Sequence, residues 1–105
     1  MLTIVNFMEK NILEMIEYPK EGILSKEILK NDKVDLGLFC MAKGTEMSDH
    51  TSVRPAFVHV VDGRGVFTLS GKDIEMKPGV VIQMDADAVH GLKALENTAF
   101  ILGLY

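Results

Sequence analysis

Few side chains in this sequence can do chemistry near neutral pH. There are three histidines, His50, His59 and His90, and one cysteine, Cys40. Imidazole ordinarily titrates near neutrality, so two histidines facing one pocket can serve as an acid and a base. Two neutral ring nitrogens plus water can also hold zinc or nickel weakly, although an open catalytic site normally keeps three protein ligands. Cys40 lies in the apolar run 36–42, where a thiol packs as a small hydrophobe rather than acting as a nucleophile. A lone cysteine excludes an intramolecular disulfide and a CxxC zinc site. His59 lies in the segment FVHVV, whose two alternating faces are both apolar. That strand is expected to be covered on both sides, by the N-terminal arm or by a second subunit, with His59 as a structural histidine.

Such residues need a scaffold, and the composition allows one. The chain has 105 residues, 48% of them hydrophobic and 25% charged. A single domain of this size buries roughly two thirds of its extended surface, enough for one modest core. Fifteen acidic against eleven basic residues give a net charge of −4. With no local basic cluster, nucleic acid is excluded as an expected partner. No apolar run reaches the length of a membrane span, and the start MLTIVNFMEKN lacks the features of a secretory leader. The expected compartment is the cytoplasm, with no membrane partner.

Turn signals recur about every eight to twelve residues, which suits short antiparallel strands. They include Tyr18-Pro19-Lys20-Glu21-Gly22, Asn31-Asp32, Lys43-Gly44, Asp62-Gly63-Arg64-Gly65, Ser70-Gly71 and Pro78-Gly79. Strands are expected over 23–30, 34–42, 57–61, 66–69, 79–84 and 99–105. The Asp62–Gly65 segment reads as a hairpin connection, because its glycines accept positive φ. The spacing of Met8, Ile12, Met15 and Ile16 fits a helical turn or two within 7–16, or an irregular arm. Eight or more short strands in one flat sheet would expose long edges. Closure into a barrel or a double-sheet jelly roll removes most of that edge.

The segment from Gly44 through His50 to Gly63 resembles the first motif of the cupins: Gly, five residues, His, one, His, three or four, Glu, six, Gly. Gly44, His50 and Gly63 fall in register with it. The second motif is matched loosely by Gly71, Pro78-Gly79 and His90. The resemblance covers about 34–105. It implies an all-β, cupin-type double-stranded β-helix or jelly-roll barrel, with 1–33 as an N-terminal arm and first strands packed on a barrel core of 34–105, all one domain. Metal-binding cupins usually offer His, His and Glu from the first motif and His from the second. Here those positions are His50, Ser52, Ala56 and His90, so two of four ligands are absent.

The expected function is therefore a stand-alone barrel that binds a small molecule without catalysis. The expected pocket holds His50, Ser52, Arg54, Val58, Val60, Ile82, Met84 and His90. Strand parity points the four apolar residues inward, and Arg54 is placed to meet a carboxylate or phosphate at the mouth. The alternative is a metal-dependent enzyme of dioxygenase or isomerase type with an incomplete ligand set. The expected cofactor is none, or a weakly held zinc, nickel, iron or manganese on His50 and His90. The apolar arm residues Leu2, Ile4, Val5, Phe7, Met8, Ile12 and Leu13 want a surface to cover, and a homodimer is expected.

Overall fold

In the computed structural model of the chain, residues 8–105 are described. One short helix, α1 (Ile12–Met15), precedes nine strands: β1 (Ile23–Lys30), β2 (Asp35–Met41), β3 (Glu46–His50), β4 (Ala56–Asp62), β5 (Gly65–Leu69), β6 (Lys72–Met76), β7 (Val81–Met84), β8 (His90–Ala94) and β9 (Thr98–Leu104). The larger sheet has the order β1-β2-β9-β4-β7 and the smaller β3-β8-β5-β6. Every pairing is antiparallel. This is the expected double-sheet β-barrel. No helix among the described residues is long and apolar enough to cross a membrane.

The two sheets enclose the main core. Strand alternation puts Val58 and Val60 of β4, Ile82 and Met84 of β7, and Phe100 of β9 against Phe67, Leu92 and Met76 of the smaller sheet. A second, smaller cluster covers the outer face of the larger sheet. Leu38, Cys40 and Ala99 are fully buried there beneath Ile12, Met15, Ile16 and Tyr18. The segment around α1 therefore covers the Val61 end of β4 from outside. Its helix is brief but capped, since the Asn11 side chain accepts from the Glu14 N–H at 3.3 Å. Tyr18 closes the cover by donating its hydroxyl to Asp62. Burial, then the hydrogen bond and the negative charge of Asp62, push the Tyr18 phenol well above its ordinary value. The expected arm residues Leu2, Ile4, Val5 and Phe7 lie outside the described residues. Met8 and Leu13 are exposed.

One sequence expectation is corrected. The Asp62–Gly65 segment is not a hairpin turn, because β4 pairs with β7 and β9 whereas β5 pairs with β6 and β8. It is a corner carrying the chain from one sheet to the other. Gly63 stands at φ +90°, and a Cβ there would lie 2.1 Å from the Asn97 carbonyl oxygen. A Cβ on Gly65 would lie 2.6 Å from the Lys93 carbonyl oxygen. The glycines allow one corner to cross the backbone of the next, that between β8 and β9. Thr98, fully buried, fastens the crossing, with its hydroxyl 2.8 Å from the carbonyl oxygens of both Arg64 and Glu96.

Candidate functional site

His50 and His90 sit directly opposite each other on the neighbouring strands β3 and β8. Their rings are 4.2 Å apart, centroid to centroid, and tilted by 58°. A register shift produces this pairing. Glu46 pairs with Lys93 and Met47 with Leu92, but the next pair is His50 with His90. Ser48 and Asp49 thus share the place opposite Gly91, which makes a β-bulge. Residues three apart would ordinarily face opposite sides of a strand. The bulge turns both Met47 and His50 towards the interior, where both line the same cavity. Gly91 makes the bulge possible. A Cβ on it would stand 2.6 Å from Asp49 Oδ1 and 2.9 Å from the Met47 carbonyl oxygen.

The rings are held alike. His50 Nδ1 is 2.9 Å from the Ser48 carbonyl oxygen, and His90 Nδ1 is 2.9 Å from the Ala88 carbonyl oxygen. A carbonyl only accepts, so each Nδ1 carries its proton, and in the neutral ring Nε2 is left with a free lone pair. His90 is buried at 7% exposure and stacks on Phe67, with ring planes 4° apart and centroids 5.9 Å apart. His50 is exposed at the rim.

The cavity they share is about 40 Å³, space for a few waters. Phe39, Val58, Met84, Phe100 and Leu102 wall it from the larger sheet, and Met47, Phe67 and Leu92 from the smaller. Among the described residues that line it, only the two imidazoles carry nitrogen or oxygen in their side chains. Of the sequence-expected pocket residues, His50, Val58, Met84 and His90 come together here. Val60 and Ile82 face inward as parity required but are buried in the core away from this cavity. Ser52 lies beyond the end of β3, its carbonyl accepting from Asp87 N–H at 2.7 Å. The Arg54 guanidinium donates to the carbonyl oxygens of Lys33 at 2.7 Å and Leu104 at 3.3 Å. It ties the β1–β2 turn to the end of β9 rather than lining the cavity. His59 lies on the outer face of β4, half-buried, beside Val81 and Ile101. Phe39, Met47, Phe67, Leu92, Phe100 and Leu102 are the wall residues that sequence reasoning missed. Alternation along β2 and β9 was the available signal for the larger sheet, and the bulge hid Met47.

A divalent metal would find two ring nitrogens here. Ala56 offers no donor, and Ser52 is outside the cavity. No group of three or more His, Cys, Asp or Glu side chains that could hold a metal comes together among the described residues. This donor set falls short of the three protein ligands of an open site. The chemistry at hand is that of the imidazoles: accepting a hydrogen bond at Nε2, or taking a proton there.

Residues 37–103 match the sequence model of the Cupin domain family. No curated protein matches the chain. Among solved structures, the fold is shared with a cupin superfamily protein from Desulfitobacterium hafniense at TM-score 0.84 and 19% identity, covering 98% of this chain and 97% of that one. A conserved protein of unknown function from Streptococcus pyogenes matches at TM-score 0.83 and 22% identity, covering 96% and 89%. A cupin 2 conserved barrel domain protein from Leptotrichia buccalis matches at TM-score 0.83 and 27% identity, covering 90% of this chain and 46% of that one. With the family model spanning most of the chain and the double-sheet barrel beneath it, the chain belongs to the cupin domain family.

Proposed function

We propose that this cupin is a small-molecule-binding barrel in which His50 and His90 receive the ligand and no bond is made or broken. One observation carries the reading. In an otherwise apolar cavity, two imidazoles are each locked through Nδ1 so that both Nε2 lone pairs are available to an incoming donor. Apolar walls with a few convergent polar atoms are the usual make-up of a ligand pocket. The ligand group that enters is small and carries an O–H or N–H donor. A homodimer is part of the proposal.

A thermal-shift screen of small alcohols, sugars and acids tests the binding reading, run on wild type and His90→Ala. A ligand at ten times its Kd stabilises by about 1.4 kcal/mol, or about 6–11 °C in Tm for a domain of this size. The expected result is at least one compound that raises the wild-type Tm by that amount and leaves His90→Ala unmoved. Equal shifts in both proteins, or none in wild type, would overturn the reading.

A further inference from the structure

The histidine cavity has a neighbour. A groove of about 200 Å³ runs along β1, β2 and β9, lined by Gly37, Asp35, Lys30 and Leu104 among others. Cavity and groove have two wall residues in common, Phe39 and Leu102. Phe39 is half-buried and stacks on Phe100, with ring planes 7° apart and centroids 5.5 Å apart. Its ring edge also lies against Gly37, where a Cβ would be 3.1 Å from Phe39 Cε2. The lack of a side chain at inward-facing Gly37 is thus what leaves the ring its present place, since a Cβ there would press on it. The groove also differs in character from the cavity. It carries Lys26, Lys30, Glu27 and Asp35 along its side, whereas the cavity is apolar apart from its imidazoles.

We infer that Phe39 is a partition between the histidine cavity and the groove, and that its ring limits what the site admits to a short apolar arm ending in a hydroxyl at the histidines. This deepens the binding reading of the His50–His90 cavity and rests on it. Phe39 sets how long an arm the site accepts. With the ring in place, the cavity has room for only the first few atoms of such an arm. With the ring removed, each further methylene finds apolar wall, at about a fourfold gain in affinity per methylene.

The experiment uses linear 1-alkanols from ethanol to octanol as probes, read by NMR shifts of the His50 and His90 ring protons. In wild type, affinity should stop rising after the shortest members. In Phe39→Ala it should keep rising by about fourfold per carbon over two or three more. Phe39→Leu, which keeps more of the packing on Phe100, should give an intermediate limit and guards against misfolding of the alanine variant. Gly37→Ala presses on the ring edge and should leave the limit at the wild-type length or shorter. The same limit in wild type, Phe39→Leu and Phe39→Ala, with the histidine signals responding in all three, would overturn the partition while leaving the binding reading intact. No histidine response in any protein would overturn both.

Discussion

A single methyl group added at Gly91 should separate the two histidines. The new Cβ of Gly91→Ala would meet Asp49 Oδ1 at 2.6 Å, the Met47 carbonyl oxygen at 2.9 Å and the Asp49 nitrogen at 3.2 Å. The carboxylate can rotate away at little cost. The other two atoms are backbone, and they are the bulge itself. Alanine in a strand interior gains roughly 0.5–1 kcal/mol over glycine from reduced chain entropy. Overpacking of this kind costs about 1–3 kcal/mol. The net loss should be about 1–2 kcal/mol, a fall in Tm of about 4–16 °C at 4–8 °C per kcal/mol. The more telling readout is local. If the bulge opens, β3 slips towards regular pairing, and His50 turns away from His90. The inter-ring NOE expected at a 4.2 Å centroid separation should then vanish, and alkanol binding should weaken at a temperature where the variant is fully folded. Gly79→Ala is the control. It also loses a glycine, at φ +96° with nothing within 4 Å of the added Cβ, so it should lose about 1–2 kcal/mol through left-handed strain and keep the NOE. An inter-ring NOE that persists in Gly91→Ala at wild-type strength would refute the claim that the bulge places His50.

Three further outcomes follow from the geometry. Gly63→Ala combines φ +90° with a 2.1 Å approach to the Asn97 carbonyl oxygen and 2.7 Å to Thr98 Cα; it should lose about 3 kcal/mol or more, well beyond Gly79→Ala, in urea midpoints. For Tyr18, the phenol's folded value is raised, so the stability from its bond to Asp62 is complete below the ordinary phenol value of about 10 and is lost as pH rises through the raised one. The stability gap between wild type and Tyr18→Phe should therefore hold steady through neutral pH and shrink only in strong alkali. Phenolate absorbance should show one late-titrating group that the variant lacks. Elemental analysis of untagged protein prepared without chelator should give well below one divalent metal per chain, as two nitrogens predict. One metal per chain, lost in His90→Ala, would restore the enzyme reading.

The legible parts of the fold were those where one strand carries its own signal. β1 and β4 alternate or run apolar between clear turns, and their positions follow from that alone. β3, β6 and β8 read poorly because EMSDH, KDIEM and HGLKA are short and charged. β3 and β6 are edge strands, where charge guards against stray pairing. The corner at Gly63 misled for a different reason. Two glycines signal either a tight turn or a close backbone approach, and only the partner backbone decides which. At the site, the inward faces of Val58 and Met84 came from parity. The bulge could not, since register is a property of two strands and the residue that permits it, Gly91, lies on the other one. Arg54 looked free because its two carbonyl partners, Lys33 and Leu104, are 21 and 50 residues away.

The strand order of the larger sheet also has a consequence in time. β9, the last strand of the nine to be synthesised, lies between β2 and β4. Until its residues 98–104 are in place, the β1–β2 hairpin has no hydrogen-bonded path to the β4–β7 pair, and the sheet exists as two separate ribbons. The inner wall of the histidine cavity, to which Phe100 and Leu102 belong, is likewise absent. A growing chain therefore stays open, with apolar faces uncovered, until the ninth strand inserts between two edges already formed. Closure through such distant pairings is slow relative to local folding. A substitution that weakens β9 should act first on the rate of barrel closure and on aggregation during synthesis, before it is felt at the site.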